Sequence, residues 1–231
     1  FFFQAEDGIR DYKVTWSSDV CSSDLVTGDA WSALKGEGNL VHFSTGTGSA
    51  WLASRQQVNG RWQAAAVRLS GNFDSGVQGG RFHPRDGHLY VTGMQGWGSY
   101  TPLDGCFQRV RFTGGVPVPV GFEARENGVL LRFDTPLDAA AASAPANHFA
   151  QCWNYRYGPS YGSPEFSPSH YGTPGHDPLP IRSATVLSDG QSLFLEIPDL
   201  QPVSQLHLHV AVGGGETRDL FATVQIGRAH V

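Results

Sequence analysis

Short apolar runs separated by glycine and aspartate turns fill the chain from Val26 to about Gly115. Runs of this length between turn residues are typical of β-strands, and their regular spacing favours repeated antiparallel sheets. The pattern predicts six strands, at Asn39–Ser44, Ala50–Ser54, Trp62–Leu69, Gly80–His83, His88–Gly93 and Cys106–Thr113.

Two aspartate-glycine pairs mark turns in this part of the chain. Residues 84–87, Pro-Arg-Asp-Gly, stand between two runs whose side chains alternate, and Asp-Gly between strands is a strong hairpin signal. Asp104 and the glycine after it open the last run. In this run Phe107, Val110 and Phe112 are not all an even number of residues apart, so a regular strand would not place all three on one face. That strand is therefore predicted to be buried on both faces or to contain a bulge.

A second β-rich part follows the glycine- and proline-rich residues 114–119, which predict a domain boundary. Residues 135–138, Thr-Pro-Leu-Asp, stand before an alanine run and predict a short capped helix. Residues 188–191, Ser-Asp-Gly-Gln, predict a hairpin turn. Strands are predicted at Gly128–Asp134, His148–Tyr157, Ile181–Leu187, Ser192–Ile197 and Leu206–Val212, so the predicted fold class is all-β.

Several of these motifs resemble a known family. The stretch FHPRDGHLYVTG, followed by GWG and DGCFQRVRFTG, resembles the closing blades of a β-propeller of the quinoprotein glucose/sorbosone dehydrogenase-like kind. More narrowly, it is similar to exported proteins of Planctomycetes and Verrucomicrobia that join such a propeller to a cytochrome c-type haem domain. The stretches LLRFDTPLD, CWNYRYGPSYGSPEF, LSDGQSLFLEIPDLQPV and LHLHV resemble the immunoglobulin-like or fibronectin-like module that follows this propeller.

The resemblance implies a partial β-propeller, its last blades, at residues 26–115 and an immunoglobulin/fibronectin-like β-sandwich at residues 116–225. It also implies a periplasmic or extracellular location. Both ends of the chain resemble translated sequencing adaptor: Gln4–Asp11 is what CAA GCA GAA GAC GGC ATA CGA GAT encodes, and Ile226–Val231 resembles an adaptor's reverse complement. Residues 1–25 and 226–231 are therefore predicted not to be native.

Composition narrows the possible partners. Glycine, proline and aromatic residues are frequent and cations are scarce, as in turn-rich β proteins. A net charge of −5 and the lack of a basic stripe predict no nucleic-acid partner. No apolar run approaches the roughly 20 residues that span a bilayer, so no membrane span is expected. With Cys21 set aside as adaptor, Cys106 and Cys152 leave a disulfide possible but not indicated.

The sequence assigns no cofactor to these residues. A c-type haem needs Cys-x-x-Cys-His, and that motif is absent. Haem c or a quinone is expected only in the full-length parent. The resemblance also implies a catalytic histidine on the propeller axis, contributed by several blades, and no position here is assigned that role.

Two histidines form a possible metal pair. His207 and His209 stand two apart on a predicted strand, so their side chains share a face and could bind a metal with His148 or His176. The favoured interpretation is that the two histidines are ordinary polar residues, alternating along a strand whose face is exposed to solvent. A blue copper site is rejected because the single methionine, Met94, lies in the other domain.

An aromatic loop is the candidate ligand or partner surface. It runs through WNYRYGPSYGSPEFSPSHY, and its exposed rings could stack against a sugar or another domain. Packing is the favoured interpretation for its start, where aromatic residues alternate as on a buried strand face. Trp97 is likewise predicted to anchor a blade turn. The candidate surface residues are Trp153, Tyr155, Tyr157, Tyr161 and Tyr171.

Two further candidates are interpreted as turns. His83 and Asp86 could form an acid/base pair, but the turn that Asp-Gly makes explains the aspartate better. Residues 44–49 resemble a phosphate loop only superficially, because they lack the lysine and the following helix.

Three functions remain open at this stage. The first hypothesis is that the chain is a non-catalytic fragment of an exported, haem-bearing, dehydrogenase-like redox protein. The partners of the fragment would then be the other domains of that parent protein. The second hypothesis is a secreted binding module that recognises polysaccharide or a protein partner. The third is a structural spacer.

Overall fold

The computed structural model describes residues 22–58, 60–96, 100–156 and 162–225, and these form an all-β chain. Helical residues are limited there to two 3-10 turns, Asp29–Leu34 and Pro145–Asn147, and to helix α1, Ala139–Ala142. The described strands are, in chain order, Ser22–Leu25 (β1), Leu40–Phe43 (β2), Ala50–Val58 (β3), Arg61–Arg68 (β4), Val77–Phe82 (β5), Leu89–Met94 (β6), Gly105–Val110 (β7), Pro119–Arg125 (β8), Gly128–Phe133 (β9), Phe149–Tyr155 (β10), Glu165–Phe166 (β11), Asp177–Pro178 (β12), Ser183–Val186 (β13), Ser192–Glu196 (β14), Val203–Gly213 (β15) and Glu216–Val224 (β16).

Every run predicted as a strand overlaps an observed strand, and the predicted hairpins form. β5 and β6 pair across the Asp86 turn, in which Asp86 accepts hydrogen bonds from the His88 backbone N–H at 3.0 Å and the Tyr90 hydroxyl at 2.8 Å. These bonds lower the pKa of the Asp86 carboxyl and confirm that its role is in the turn. β13 and β14 pair in the same way across residues 188–191.

The capped helix is also confirmed. Asp138 Oδ1 accepts hydrogen bonds from the backbone N–H groups of Ala140 at 3.0 Å and Ala141 at 3.3 Å. An aspartate in this position satisfies donors that the first helical turn leaves unpaired.

The prediction that β7 is buried on both faces or bulged is wrong. Phe107 and Val110 both lie in β7 and point to opposite faces, Phe107 exposed and Val110 half-buried, whereas Phe112 lies beyond the end of the strand. Its pairing with β6 has no register shift, and its side chains alternate between exposed and half-buried. The physical reason is that β7 is the edge of the three-stranded sheet β5-β6-β7, whose bulge lies between Val77 and Gly79 of β5.

The chain divides into two compact units that are not contiguous in sequence. Among the described residues, the first unit contains those up to Leu52 and those of Arg68–Thr113, and the second contains those of Ala53–Val67 and those from Gly114 onward. The sequence predicted a single cut between residues 115 and 116. The difference is the β3–β4 hairpin, which belongs largely to the second unit because β4 pairs with β16.

The core of the first unit forms where β1 and β2 lie against β5. Phe43 is fully buried and sits directly over Gly80, where a Cβ atom would lie 2.5 Å from the ring. β1 belongs to the segment predicted to be adaptor-derived, and its origin stays a prediction. The other fully buried residues of this core include Leu34, Val41, Val77, Leu89 and Val91.

The second unit contains a four-stranded antiparallel sheet in the order β13-β14-β9-β8. The register aligns apolar side chains on one face, so that Leu131 lies between Phe122 and Leu193. The other face is charged, with Glu123 paired to Arg132. The buried residues of the apolar face are Phe122, Ala124, Val129, Leu131, Ala184, Leu193 and Leu195.

A second sheet of the same unit contains β4, β16, β15 and β10 in that order, and the short strands β11 and β12 both pair with β10. One face is again apolar and in register. Its buried residues are Ala65, Val67, Ala150, Cys152, Leu206, Leu208, Val210, Leu220 and Ala222. The opposite face carries the histidine pair.

Cys106 and Cys152 are both free thiols, and burial, with a smaller contribution from Asp177, raises the pKa of Cys152 to about 11. In the part of the chain that the structure describes, no helix has the length and apolarity needed to cross a membrane.

Candidate recognition face of the second unit

The candidate site is the outward face of β10, β15 and β16, which we call the imidazole face. His207 and His209 point to the same side of β15, as the sequence predicted. The antiparallel register places β10 residues on one side of them and β16 residues on the other. The imidazole face consists of Phe149, Gln151, His207, His209, Asp219 and Phe221.

Both histidines share one carboxylate oxygen. Asp219 Oδ1 lies 2.8 Å from His207 Nε2 and 2.9 Å from His209 Nδ1. The hydrogen bond with His207, and to a smaller extent the one with His209, lowers the pKa of the Asp219 carboxyl. The pair is therefore organised by a carboxylate on the neighbouring strand.

Two aromatic contacts and two hydrogen bonds hold the ring of His207. It stacks on Phe221, with centroids 4.6 Å apart and an interplanar angle of 10°, and meets the edge of Phe149 at 6.2 Å. The Gln151 side-chain amide donates to Nδ1 at 3.1 Å, so Nε2 carries the proton that bonds Asp219. This arrangement fits the Nε2–H tautomer.

The two proposed third metal ligands have other roles. His148 Nε2 donates to the Ala142 carbonyl at 2.8 Å, and its Nδ1 accepts from the Ala211 backbone N–H at 3.2 Å. His176 Nε2 lies 2.6 Å from Glu165 Oε2. Among the described residues, no group of three or more histidines, cysteines or acids could hold a metal ion.

His148 should make the second unit sensitive to acid, because burial lowers its pKa from the usual 6.5. Its stabilising contribution is complete above pH 6.5 and falls as the pH falls toward the lowered folded-state pKa, because the unfolded chain takes up the proton first. We expect His148→Gln to cost about 1 kcal/mol at pH 7.5. Its melting-temperature difference from the parent should narrow at pH 5.5, measured by circular dichroism.

His83→Gln is the control, because this ring is 45% exposed and belongs to the first unit. Its effect should stay within about 0.5 kcal/mol at both pH values. A difference for His148→Gln that widens in acid would contradict the assignment.

Trp153 is a packing residue. It is fully buried on the outward side of β10, and its ring stacks on His176 with centroids 4.0 Å apart and an interplanar angle of 11°. Glu165 on β11 holds His176 in place. The Trp153 indole N–H has no acceptor among the described residues. The His176 ring therefore covers one side of the buried indole.

Two of the other residues of the predicted aromatic surface, Tyr155 and Tyr171, lie in the part of the chain that the structure describes. Tyr155 is half-buried, and its backbone N–H donates to the Ser204 hydroxyl at 3.4 Å. Tyr171 is 99% exposed. Tyr157 and Tyr161 lie outside the described residues, as does Trp97.

A nearby serine and histidine have a local structural role. Ser167 Oγ accepts a hydrogen bond from the His170 backbone N–H at 2.9 Å, and its distance to His170 Nδ1 is 3.3 Å. The Asp177 carboxylate accepts from the Ser169 backbone N–H at 2.7 Å. These contacts close a turn and leave the serine hydroxyl engaged with the backbone.

The sequence did not identify Asp219, Phe221 or Glu165 as site residues. The first two lie on β16, which was not predicted because it begins with polar residues. A signal was nevertheless present in the Gly-Gly-Gly sequence at 213–215. A turn there makes a hairpin that places Asp219 opposite His209.

Comparison with known proteins identifies no relative: no family model, no curated protein and no solved structure matches this chain.

Proposed function

We propose that the chain is the junction of a β-propeller and an immunoglobulin-like module of an exported, haem-bearing, dehydrogenase-like redox protein. The first unit would supply propeller blades and the second unit the sandwich. The second unit would bind or space its neighbours, while catalysis and the haem c or quinone belong to other parts of the parent protein.

The observation that carries the proposal is the pair of apolar sheet faces in the second unit. Each of its two antiparallel sheets has a row of buried apolar side chains aligned in register on one face. Two such sheets bury these faces most effectively against each other, which is the arrangement of a β-sandwich. A charged face on one sheet and the imidazole face on the other are the outward surfaces that this arrangement requires.

The first unit supports the propeller part through its local structure. The Asp86 turn joins β5 to β6, and Asp104 stands directly before β7. These are the two motifs on which the family resemblance depends. The resulting three-stranded antiparallel meander is a building block of a four-stranded propeller blade.

Extending the gene sequence in both directions tests this proposal directly. We expect further blades upstream and a Cys-x-x-Cys-His motif downstream. A carbohydrate-binding or anchoring module in place of these would contradict the redox assignment and favour the alternative below.

A second candidate function is polysaccharide recognition by the imidazole face. The observation that favours it is the combination of an accessible ring with accessible polar groups. Phe149 is 45% exposed, and the side chains of His209 and Asp219 are 39% and 43% exposed. An aromatic ring beside hydrogen-bonding groups is suited to stack against a sugar and bond its hydroxyls.

Phe149→Ala tests the second candidate. If the imidazole face binds neutral glycans, this variant should lose about five- to tenfold in affinity, because a stacking ring is removed. Isothermal titration of the whole chain with soluble glucans and mannans measures the effect. Leu187→Ala removes a similarly exposed side chain, 40% exposed, and should leave affinity unchanged. Failure of the parent chain to bind these glycans would rule out this candidate.

A further inference from the structure

The outward face of β5, β6 and β7 in the first unit brings together arginines that are far apart in sequence. The register places Arg81 opposite Tyr90, and Tyr90 opposite Arg109, in one row across three strands. Adjacent strands lie roughly 4.8 Å apart, so the two arginine Cα atoms flank the tyrosine at about 10 Å from each other. The next row contains Thr92 and Phe107.

These arginines are exposed and have no acidic partner in the described part of the chain. Arg81 donates to the adjacent Gly80 carbonyl at 2.7 Å, and neither Arg81 nor Arg109 forms an ion pair among the described residues. The nearby acid, Asp86, is engaged by the hydrogen bonds of its turn. The guanidinium groups are therefore available to a ligand.

Aromatic rings lie between and beside the cations. Tyr90 and Phe107 have centroids 6.0 Å apart at an interplanar angle of 32°, and His83 lies 5.6 Å from Tyr90. Phe107 is 73% exposed, a large value for an aromatic residue. Aromatic residues and arginines are enriched together at binding surfaces, and here the exposed Phe107 lies in the row next to the arginine-flanked Tyr90.

We propose that this arginine-aromatic face, defined by Arg81, Tyr90, Thr92, Phe107 and Arg109, binds a carboxylate-bearing polysaccharide. The guanidinium groups match carboxylates in charge and in planar geometry. The rings stack against the apolar side of sugar rings.

Two features favour a glycan over a nucleic acid. The exposed Thr92 hydroxyl can bond sugar hydroxyl groups. The chain as a whole carries a net charge of −5, which opposes a densely charged phosphate polymer more than a sparsely charged glycan. The site lies within the first unit and is independent of the role proposed for the second.

The test measures binding of the whole chain to polygalacturonate, with dextran as the uncharged comparison. We expect binding to polygalacturonate that weakens with added salt, and much weaker binding to dextran. Arg81→Gln and Arg109→Gln should each reduce affinity about tenfold, because each removes a charge-assisted contact. Arg125→Gln is the matched control, since its exposed guanidinium belongs to the second unit, and it should bind like the parent.

Phe107→Ala separates stacking from charge. It should reduce affinity about fivefold at low and at high salt, and an unchanged melting temperature should show that the first unit remains folded. The proposal is overturned by equal binding of dextran, by arginine variants that bind like the parent, or by no binding of polygalacturonate. Tighter binding of a single-stranded oligonucleotide, lost in the same arginine variants, would also overturn it in favour of a nucleic-acid site.

Discussion

Replacing Trp153 with alanine is expected to lower the melting temperature of the second unit by about 10 °C. The side chain is fully buried, and emptying such a position costs roughly 3–5 kcal/mol, with about 2–4 °C lost per kcal/mol in a domain of this size. Its indole N–H has no acceptor among the described residues, so the loss comes from packing against His176. Differential scanning calorimetry of the whole chain measures the shift.

Phe149→Ala is the matched control for this experiment. Both aromatic residues lie on the outward face of β10, but Phe149 is 45% exposed. Phe149→Ala should therefore lower the free energy of unfolding by less than about 1 kcal/mol. An unchanged melting temperature for Trp153→Ala, with loss of glycan affinity, would show that Trp153 belongs to a ligand surface.

Strand positions could be predicted because each depends on local sequence. The runs around Leu131 and Leu206 are apolar enough to indicate strands without knowledge of their partners. The Asp86 turn forms from residues next to one another in sequence, and its hydrogen bonds to His88 and Tyr90 are equally local. Hydrogen bonds of this kind join residues within a stretch of four or five consecutive positions, so the sequence alone can indicate them.

The division into units could not be read from the sequence, because it depends on which distant strands pair. The β3–β4 hairpin precedes β5, β6 and β7 in the chain, yet Val67 pairs with Leu220 in the second unit. No composition change marks this insertion. β8 and β16 were not predicted because neither begins as an apolar run. β8 begins with Pro119, and β16 begins with polar residues.

The candidate sites show the same limit. His207 and His209 were predicted to share a face because two residues are one strand period, but their common partner Asp219 comes from a neighbouring strand. Arg81 and Arg109 are separated along the chain, so no basic stripe is visible until the register of β5, β6 and β7 places them in one row. Side-chain constellations built across strands require the pairing before the residues can be connected.

Strand β9, one of the two central strands of the β13-β14-β9-β8 sheet, should be very sensitive to substitution at Gly128. A Cβ atom there would lie 2.1 Å from the Leu195 carbonyl oxygen and 3.0 Å from the Phe194 ring. Because the first contact is with backbone, relief requires β9 and β14 to move apart, which disturbs the aligned apolar row. We expect Gly128→Ala to cost about 3 kcal/mol and to lower the melting temperature of the second unit correspondingly.

Gly121→Ala is the control on the neighbouring strand β8. Its added Cβ would lie 3.3 Å from Arg132 Nη1, the end of a flexible side chain that can move aside. The cost should therefore stay below about 1 kcal/mol, and urea unfolding of both variants measures the difference. Equal stability of the two variants would mean that β9 and β14 are not packed at the register described, and the aligned apolar face on which the sandwich proposal depends would have to be abandoned.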